Sequence, residues 1–443
     1  MKRLIKTGTV GGRALQSTLP TRVRYVAVPA EGIPIAIRWS FLLFVFTLPF
    51  EATPLFGSLS LARISGLLFA GLYFLYHNPL TQKRSLPAVP PVMWWFLGYV
   101  AIYVLNVFFV PEEFASDFFT RLLTLVQLLV VFWLTSALLE KEEMARSMLL
   151  SYSIASAILA LGILFRLPGL SETIEETGGR VTALGENPNT LATLMALAAV
   201  ILMGLRLNKA FRHFVSKTLL VVLTLPLLVV MVSTGSRAGV GAFIIGCSVF
   251  LSPNLRSKRT LTAIILGIIG IVAIVYLAAS NPDFAERWYQ TYYEGNLAGR
   301  DYITYSAIEM FLERPIFGWQ PIEFWHELGF RVGIWGEKDT HNLFLHLLLE
   351  VGVVGTIPFL VGLWLCALAA WRARAGNLGL LPFALLLTIL AANMTHTGLT
   401  WKPLWLILAL TVASATGAER LWGKAAAVLL VGRRANSSIR SSP

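Results

Sequence analysis

The composition identifies the class of protein before any motif is considered. The chain has 443 residues, of which 56% are hydrophobic and only 14% charged, and its mean hydropathy is +0.69. A soluble domain carries roughly a quarter charged residues, so an ordinary soluble globular protein is excluded. Its net charge of +12 would suit a nucleic-acid-binding protein, but the basic residues are concentrated in alternate connectors between apolar segments, as in a membrane protein. The two cysteines, Cys247 and Cys366, lie in apolar stretches without disulfide or zinc spacing.

In chain order, the sequence predicts about twelve apolar segments, each long enough to cross a bilayer as a tilted helix. The connectors between them alternate between basic ones and acidic or mixed ones. Because positively charged connectors are retained in the cytoplasm, both termini are predicted to be cytoplasmic, which agrees with an even number of spans. The basic surplus is therefore a topology signal. The predicted spans are 37–56, 60–77, 92–110, 116–139, 144–166, 188–205, 215–233, 238–252, 260–280, 341–371, 378–396 and 403–418.

One external connector, 281–340, stands out because it is about sixty residues long, far beyond the usual loop length. It contains two plausible amphipathic helices, at about 302–313 and 321–329, which would either lie at the membrane interface or cap the helix bundle. The predicted fold is thus all-α and integral to the membrane. Its predicted parts are a cytoplasmic tail at 1–34, spans one to nine within 35–280, a large periplasmic loop at 281–340, spans ten to twelve within 341–422, and a cytoplasmic tail at 423–443.

The turn STGSRAG, between the seventh and eighth spans, places Arg237 close to the hydrocarbon boundary. An arginine at the centre of a membrane helix costs about 2.5–3.5 kcal/mol, and less near the interface, so some interaction should offset that cost. Snorkelling to the lipid headgroups is one reading. The other is an anion site, in which Ser236 and the N–H groups at a helix start join the arginine.

Other unusual polar residues are predicted at the same membrane face. Arg180 and Asn187 flank a glycine-rich segment that leads into the sixth span, and Arg300 lies in the long connector. Asn187 is also explained as a plain helix cap. Guanidinium groups bind phosphate oxygens bidentately, so three external arginines, each beside glycine or a helix start, favour a site for a lipid pyrophosphate.

His341 is the candidate general base, because histidine titrates near neutral pH and this one lies where the long connector meets a helix start. A capping or packing role is the ordinary alternative. Glu337 and Asp339 would either orient it or be solvated. His346 and His396 share no defensible metal spacing with it, and the connector has no DxD-like acidic pair, so we predict no metal and no cofactor.

These residues resemble a known family. The stretch GRDYITYSAIEMFLERPIFGWQP followed by DTHNLFLHLLLEVGVVG is similar to the pattern of the bacterial O-antigen ligase family, within the wider O-antigen polymerase/ligase superfamily. The shared features are Gly-Arg, a helix, Pro-x-x-Gly, His-Asn, and then an acidic residue with glycines. STGSRAG matches the Ser-Arg element of the family, and the segment around 179–189 matches more loosely. The resemblance extends from about residue 180 to 400.

The resemblance implies an inner-membrane glycosyltransferase with GT-C-type architecture. It would transfer O-antigen polysaccharide from undecaprenyl pyrophosphate to lipid A–core on the periplasmic face, with inversion and without metal. By this resemblance, His341 would activate the acceptor hydroxyl, and Asn342 would orient the site. Arg180, Arg237 and Arg300 would bind the pyrophosphate and stabilise it as it leaves.

Three alternatives remain open from the sequence. An O-antigen polymerase would use the same donor with a growing chain as acceptor, and a protein O-oligosaccharyltransferase would use a serine or threonine of a pilin-like protein. A lipid-linked oligosaccharide flippase is the less favoured alternative, because transporters place polar residues near the membrane midplane in repeated halves. Here the polar residues gather at one face and no repeat is visible.

Overall fold

The structure, a computed structural model, describes most residues between 32 and 417. The predicted ninth span at 260–280, the tails and the first part of the long connector lie outside the described residues, apart from a few positions. The described residues are 32–51, 54–56, 59–77, 86–170, 172–174, 180–208, 210–211, 213–251 and 299–417, with 276, 289 and 293.

The described part is predominantly helical, as predicted. The helices are α1 (Ile35–Thr47), α2 (Leu61–Tyr76), α3 (Met93–Leu105), α4 (Ala115–Leu139), α5 (Glu142–Leu164), α6 (Pro188–Leu207), α7 (Lys217–Ser233), α8 (Arg237–Val249), α9 (Arg300–Glu313), α10 (Glu323–Arg331), α11 (Leu343–Arg372), α12 (Leu381–Ala392) and α13 (Lys402–Gly417).

Within the described residues, four helices are long and apolar enough to cross a membrane by themselves. They are α5, α6, the extended α4 (Glu112–Leu139) and the extended α11 (Leu343–Ala375), and shorter apolar helices occupy the other predicted spans in this part of the chain. An all-α membrane protein is therefore confirmed. The count of twelve spans and the GT-C architecture stay predictions.

Among the described residues, two short antiparallel ribbons that were not predicted from the sequence lie between helices. The first pairs β1 (Pro54–Phe56) with β2 (Leu59–Ser60). The second pairs β3 (Glu172–Ile174) with β4 (Arg180–Thr182) and precedes α6. The second ribbon bears on function because it holds the backbone of Arg180 opposite that of Ile174 in a fixed register.

Helix α11 is broken at Gly352, where φ is +61° and ψ is −168°. The segment between α9 and α10 fills the break. The Val353 N–H donates to the Pro315 carbonyl at 2.9 Å, and the Trp319 N–H donates to the Leu349 carbonyl at 2.7 Å. The loop therefore satisfies backbone groups that an unbroken helix would have paired within itself.

Two glycines allow this close approach of backbones. A Cβ atom on Gly318 would lie 2.5 Å from the Leu349 carbonyl oxygen, and one on Gly352 would lie 2.5 Å from the Phe317 nitrogen. Both contacts are shorter than real Cβ atoms make, and both are with backbone that has no freedom to rotate away. The Pro-x-x-Gly and Glu-x-Gly elements of the sequence thus form one backbone junction that joins α9 and α10 to α11.

The helices α6 and α8 run parallel, which places their starts at one end of the bundle. The start of α8 packs against the start of α6, where Gly239 leaves no room for a Cβ beside Ala192. A Cβ on Gly204, near the end of α6, would lie 3.0 Å from Phe250, just after α8, and 2.5 Å from Leu381 at the start of α12. Helix α12 therefore runs antiparallel to both.

The starts of α4 and α11 lie at the same end as those of α6 and α8, which we call the site end. The Leu343 N–H, in the first turn of α11, donates to the carbonyl of Asn393 just after α12, at 2.9 Å. Arg121, near the start of α4, contacts Glu350 in α11. The opposite end carries the basic residues of the α4–α5, α6–α7 and α11–α12 connections. They are Lys141, Arg146, Arg206, Lys217, Arg372 and Arg374.

Candidate active site

His341, the candidate base, is held next to a carboxylate just before α11. Its backbone has a φ of +51°, which is uncommon for a non-glycine residue. The His341 Nδ1 atom lies 3.5 Å from Oδ2 of Asp339, and 28% of the His341 side chain is exposed. Asp339, rather than Glu337, is thus the acidic neighbour, since Glu337 instead lies 3.4 Å from His326.

Asp339 is fixed by groups from two sides. The Thr397 hydroxyl donates to Oδ1 at 2.8 Å, and Nδ1 of His346 lies 3.6 Å from the same oxygen. Burial alone would raise the pKa of Asp339, but His346, Thr397 and His341 outweigh it and hold that pKa well below its usual range. The carboxylate is therefore ionised at neutral pH, with its second oxygen directed at His341.

The surroundings of His341 favour the neutral imidazole. Burial lowers its pKa, Asp339 raises it, and the positive charges of Arg300 and Lys338 lower it again, so the net shift is downwards. A neutral imidazole at physiological pH is the form that accepts a proton. Arg300, at the start of α9, therefore lies close enough to His341 for its positive charge to lower the pKa of the imidazole. His396 also lies within such reach of His341, and burial lowers its pKa.

A buried set of charges behind His341 was not predicted from the sequence. Arg121 Nε donates to Oε1 of Glu350 at 3.0 Å, and Arg121 Nη2 donates to Nε2 of His346 at 2.6 Å. The Tyr99 hydroxyl donates to the other Glu350 oxygen at 2.6 Å. Arg121 and Glu350 could have been noticed in the sequence, because each is a charged residue inside a predicted apolar span, and such residues are rare and usually functional.

Arg180, another predicted residue, joins a second polar group at the site end. Its Nε donates to the Thr234 carbonyl at 2.8 Å, and its Nη2 donates to Oδ1 of Asn189 at 3.1 Å. The Ser236 hydroxyl donates to the same Asn189 oxygen at 2.8 Å. Asn189, which the sequence analysis did not name, thus links the two predicted residues Arg180 and Ser236.

Arg237 begins α8 directly after this group. Ser236 is the N-cap of that helix, since its Oγ accepts from the Gly239 N–H at 3.2 Å. Gly235 adopts a φ of +63°, and a Cβ there would contact Arg180. The turn therefore brings two arginines and a helix start together, which is an arrangement that attracts anions.

The two predicted asparagines are helix caps in the structure. Oδ1 of Asn187 accepts from the Asn189 N–H at 2.8 Å at the start of α6. Oδ1 of Asn342 accepts from the N–H groups of Phe344 and Leu345 at the start of α11. The capping alternative named for Asn187 is thus the observed local role, and substrate contacts by either residue stay predictions.

The described residues hold no group of three or more His, Cys, Asp or Glu side chains suited to a metal ion. The groups described at this end are a neutral imidazole beside a carboxylate, guanidinium groups and a helix N-terminus.

Comparison with known proteins bears on the resemblance noted above. Residues 220–360 match the profile of a family described as O-antigen ligase. The match includes Ser236, Arg237, Arg300 and His341, together with the α9–α11 junction. The predicted family resemblance is confirmed over this part of the chain. No curated protein matches the sequence.

Proposed function

We propose that this membrane protein is an O-antigen ligase, because residues 220–360 match the profile of the O-antigen ligase family. It transfers polysaccharide from undecaprenyl pyrophosphate to a sugar hydroxyl of lipid A–core. The observation that carries the proposal is the pair formed by His341 and Asp339, with Nδ1 and Oδ2 3.5 Å apart at the site end of the bundle. With the Nδ1–H tautomer facing Asp339, the Nε2 lone pair of His341 is left to take a proton from the acceptor.

The transfer step follows from these groups. The acceptor oxygen attacks the anomeric carbon while its proton passes to Nε2 of His341. The bond between that carbon and the pyrophosphate oxygen breaks, and the leaving group takes the electron pair, so the anomeric centre is inverted. A positioned general base contributes typically about 10²–10⁴-fold to the rate. The step uses no metal, because the pyrophosphate already carries the activation.

Arginines stabilise the charge that develops on the leaving pyrophosphate. Arg300 lies within electrostatic reach of His341, and Arg180 packs against the turn that begins α8 with Arg237. Pre-placed donors stabilise a developing charge without reorganisation at the moment of reaction. Asn187 and Asn342 contribute by capping α6 and α11, the helices that directly follow Arg180 and His341 in the chain.

The orientation in the membrane follows from the segregation of charge. The end opposite the site carries the basic connections of α4–α5, α6–α7 and α11–α12, so by the positive-inside rule it faces the cytoplasm. The site end then faces the periplasm of a bacterial inner membrane, where a GT-C-type architecture receives a lipid donor and an amphipathic acceptor from the plane of the bilayer.

A polymerase and a protein O-oligosaccharyltransferase would share this donor site and base. The test offers the purified protein a lipid-linked glycan with lipid A–core, with free glycan chain, or with a pilin-like protein. We expect product on lipid A–core alone. Chain extension of the free glycan would make the protein a polymerase, and modified pilin would make it a protein glycosyltransferase. Movement of the donor across vesicles without transfer would identify a flippase.

A further inference from the structure

The mechanism above does not use the buried charges behind His341. Glu350 and His346 have fully buried side chains, and Arg121 is 11% exposed. An arginine and a carboxylate inside an apolar bundle are costly unless they are paired. Here they are paired with each other through Nε of the arginine, and Nη2 of the same side chain donates to His346. The arrangement therefore does more than neutralise one buried charge with another.

The contact between Arg121 and His346 dictates where the proton of that imidazole lies. A guanidinium group is always a donor and has no acceptor. Because Nη2 of Arg121 lies 2.6 Å from Nε2 of His346, that nitrogen must be unprotonated and accept the bond. A neutral His346 therefore carries its proton on Nδ1. Phe324 and Trp325 of α10 pack around the ring and keep it in place.

The Nδ1–H of His346 points at the carboxylate that orients the base. Nδ1 lies 3.6 Å from Oδ1 of Asp339, and it is a buried nitrogen without a hydrogen-bond partner within bonding distance. Catalytic hydrogen bonds are often long before substrate binds and tighten in the reacting complex. A shift of under an ångström would close this contact, with the other oxygen of Asp339 still facing His341.

We infer that Arg121 and His346 are positioning residues for the transfer reaction. Arg121 holds His346 as the Nδ1–H tautomer, and His346 in turn holds Asp339 in the orientation that presents His341 as a base. The role of these residues in transfer rests on the proposed function, whereas the tautomer of His346 does not. The charged and titratable groups that face His346 are Arg121 from α4, Glu350 from α11, and Asp339. Tyr99 of α3 donates to Glu350, and Tyr103 of the same helix lies near Glu350 and Arg121.

The tautomer is tested directly by ¹⁵N NMR of the full-length protein in detergent, labelled in its 6 histidines. The His346 signals are assigned from their loss in His346→Asn. We expect Nδ1 protonated and Nε2 unprotonated at neutral pH. In Arg121→Gln/Glu350→Gln, which removes both buried charges together, the preference should be lost. A protonated Nε2 in the wild type, or an unchanged preference in the double variant, would overturn the inference.

Two replacements of His346 separate its two nitrogens. Asparagine places an amide nitrogen where Nδ1 stood, whereas glutamine places its amide where Nε2 stood. We expect His346→Asn to retain transfer within about tenfold of the wild type. We expect His346→Gln to lose about 10²-fold in kcat with donor KM unchanged, as for a misplaced catalytic group. Thermal unfolding confirms that both are folded. Equal activity of the two would refute the positioning role.

The variant His341→Ala, assayed in parallel, distinguishes failure of the base assignment from failure of the positioning role. If it retains transfer, the base assignment fails, whatever the NMR result at His346. If it abolishes transfer while the Asn and Gln variants at 346 remain equally active, the base stands and the positioning role is wrong.

Discussion

The replacement Gly352→Ala tests the junction between the external α9–α10 segment and α11. Gly352 has a φ of +61° and a ψ of −168°, a region of backbone conformation that is essentially limited to glycine and costs other residues about 1–3 kcal/mol. An added Cβ would also clash with the Ile316 carbonyl group and lie 2.5 Å from the Phe317 nitrogen. Neither neighbour is a flexible side chain, so the loop must move away.

Displacing the loop breaks backbone hydrogen bonds across the junction. They are Val353 N–H to Pro315, Val354 N–H to Ile316, and Trp319 N–H to Leu349, with lengths of 2.7–3.2 Å. Each contributes about 1 kcal/mol net. Together with the conformational cost, the free energy of unfolding should fall by about 4–6 kcal/mol, which is exceptional for a single substitution.

The measurement is reversible unfolding in detergent, followed by tryptophan fluorescence. The matched control is Gly71→Ala in α2, where a Cβ would meet nothing within 4 Å. Because alanine favours a helix over glycine by about 1 kcal/mol, the control should be neutral or slightly stabilised. If Gly352→Ala is as stable as Gly71→Ala, the junction does not stabilise the fold as described here.

The charges around the base can also be tested by substitution. Asp339→Asn removes the negative charge that raises the pKa of His341. Because an imidazole acts as a base only above its pKa, the acidic limb of the kcat/KM profile should move to lower pH. The maximal rate should fall. Glu350→Gln leaves Arg121 buried and unpaired and should destabilise the protein by about 3–5 kcal/mol, whereas Arg121→Gln/Glu350→Gln should cost less than either single change. Chelation of divalent cations should leave transfer intact.

Each of these has a contradicting result. An acidic limb that stays in place or moves to higher pH in Asp339→Asn would mean that the Asp339 charge does not raise the pKa of His341. Additive losses in the Arg121 and Glu350 cycle would mean that the two groups do not interact. A strict requirement for a divalent cation would mean that the reaction uses ligands outside the groups described above.

Much of the helical architecture could be predicted from the sequence. Apolar length and the alternation of charge located the helices, because a membrane span must bury its backbone in one continuous run. The break at Gly352 could not be predicted in the same way. It depends on a loop at 315–319 whose carbonyls replace those of the helix, and local periodicity does not predict such pairing.

The site was predicted in part for similar reasons. His341 stood out because it follows a long polar connector and begins a helix. A spacing of five residues along one helix would put His346 and His341 on different faces. His341 instead precedes α11 with a φ of +51°, and Asp339 lies between the two rings. Arg121 is distant in sequence from all of them, so only its presence in an apolar span indicated a role.

Transfer by the purified His341→Ala variant tests whether His341 is the base of a glycan transfer to lipid A–core. Its matched control is His326→Ala, which removes a histidine that contacts Glu337 rather than Asp339. We expect His341→Ala to lose about 10²–10⁴-fold in kcat while remaining folded, and His326→Ala to match the wild type. Near-normal transfer by His341→Ala would contradict the proposal.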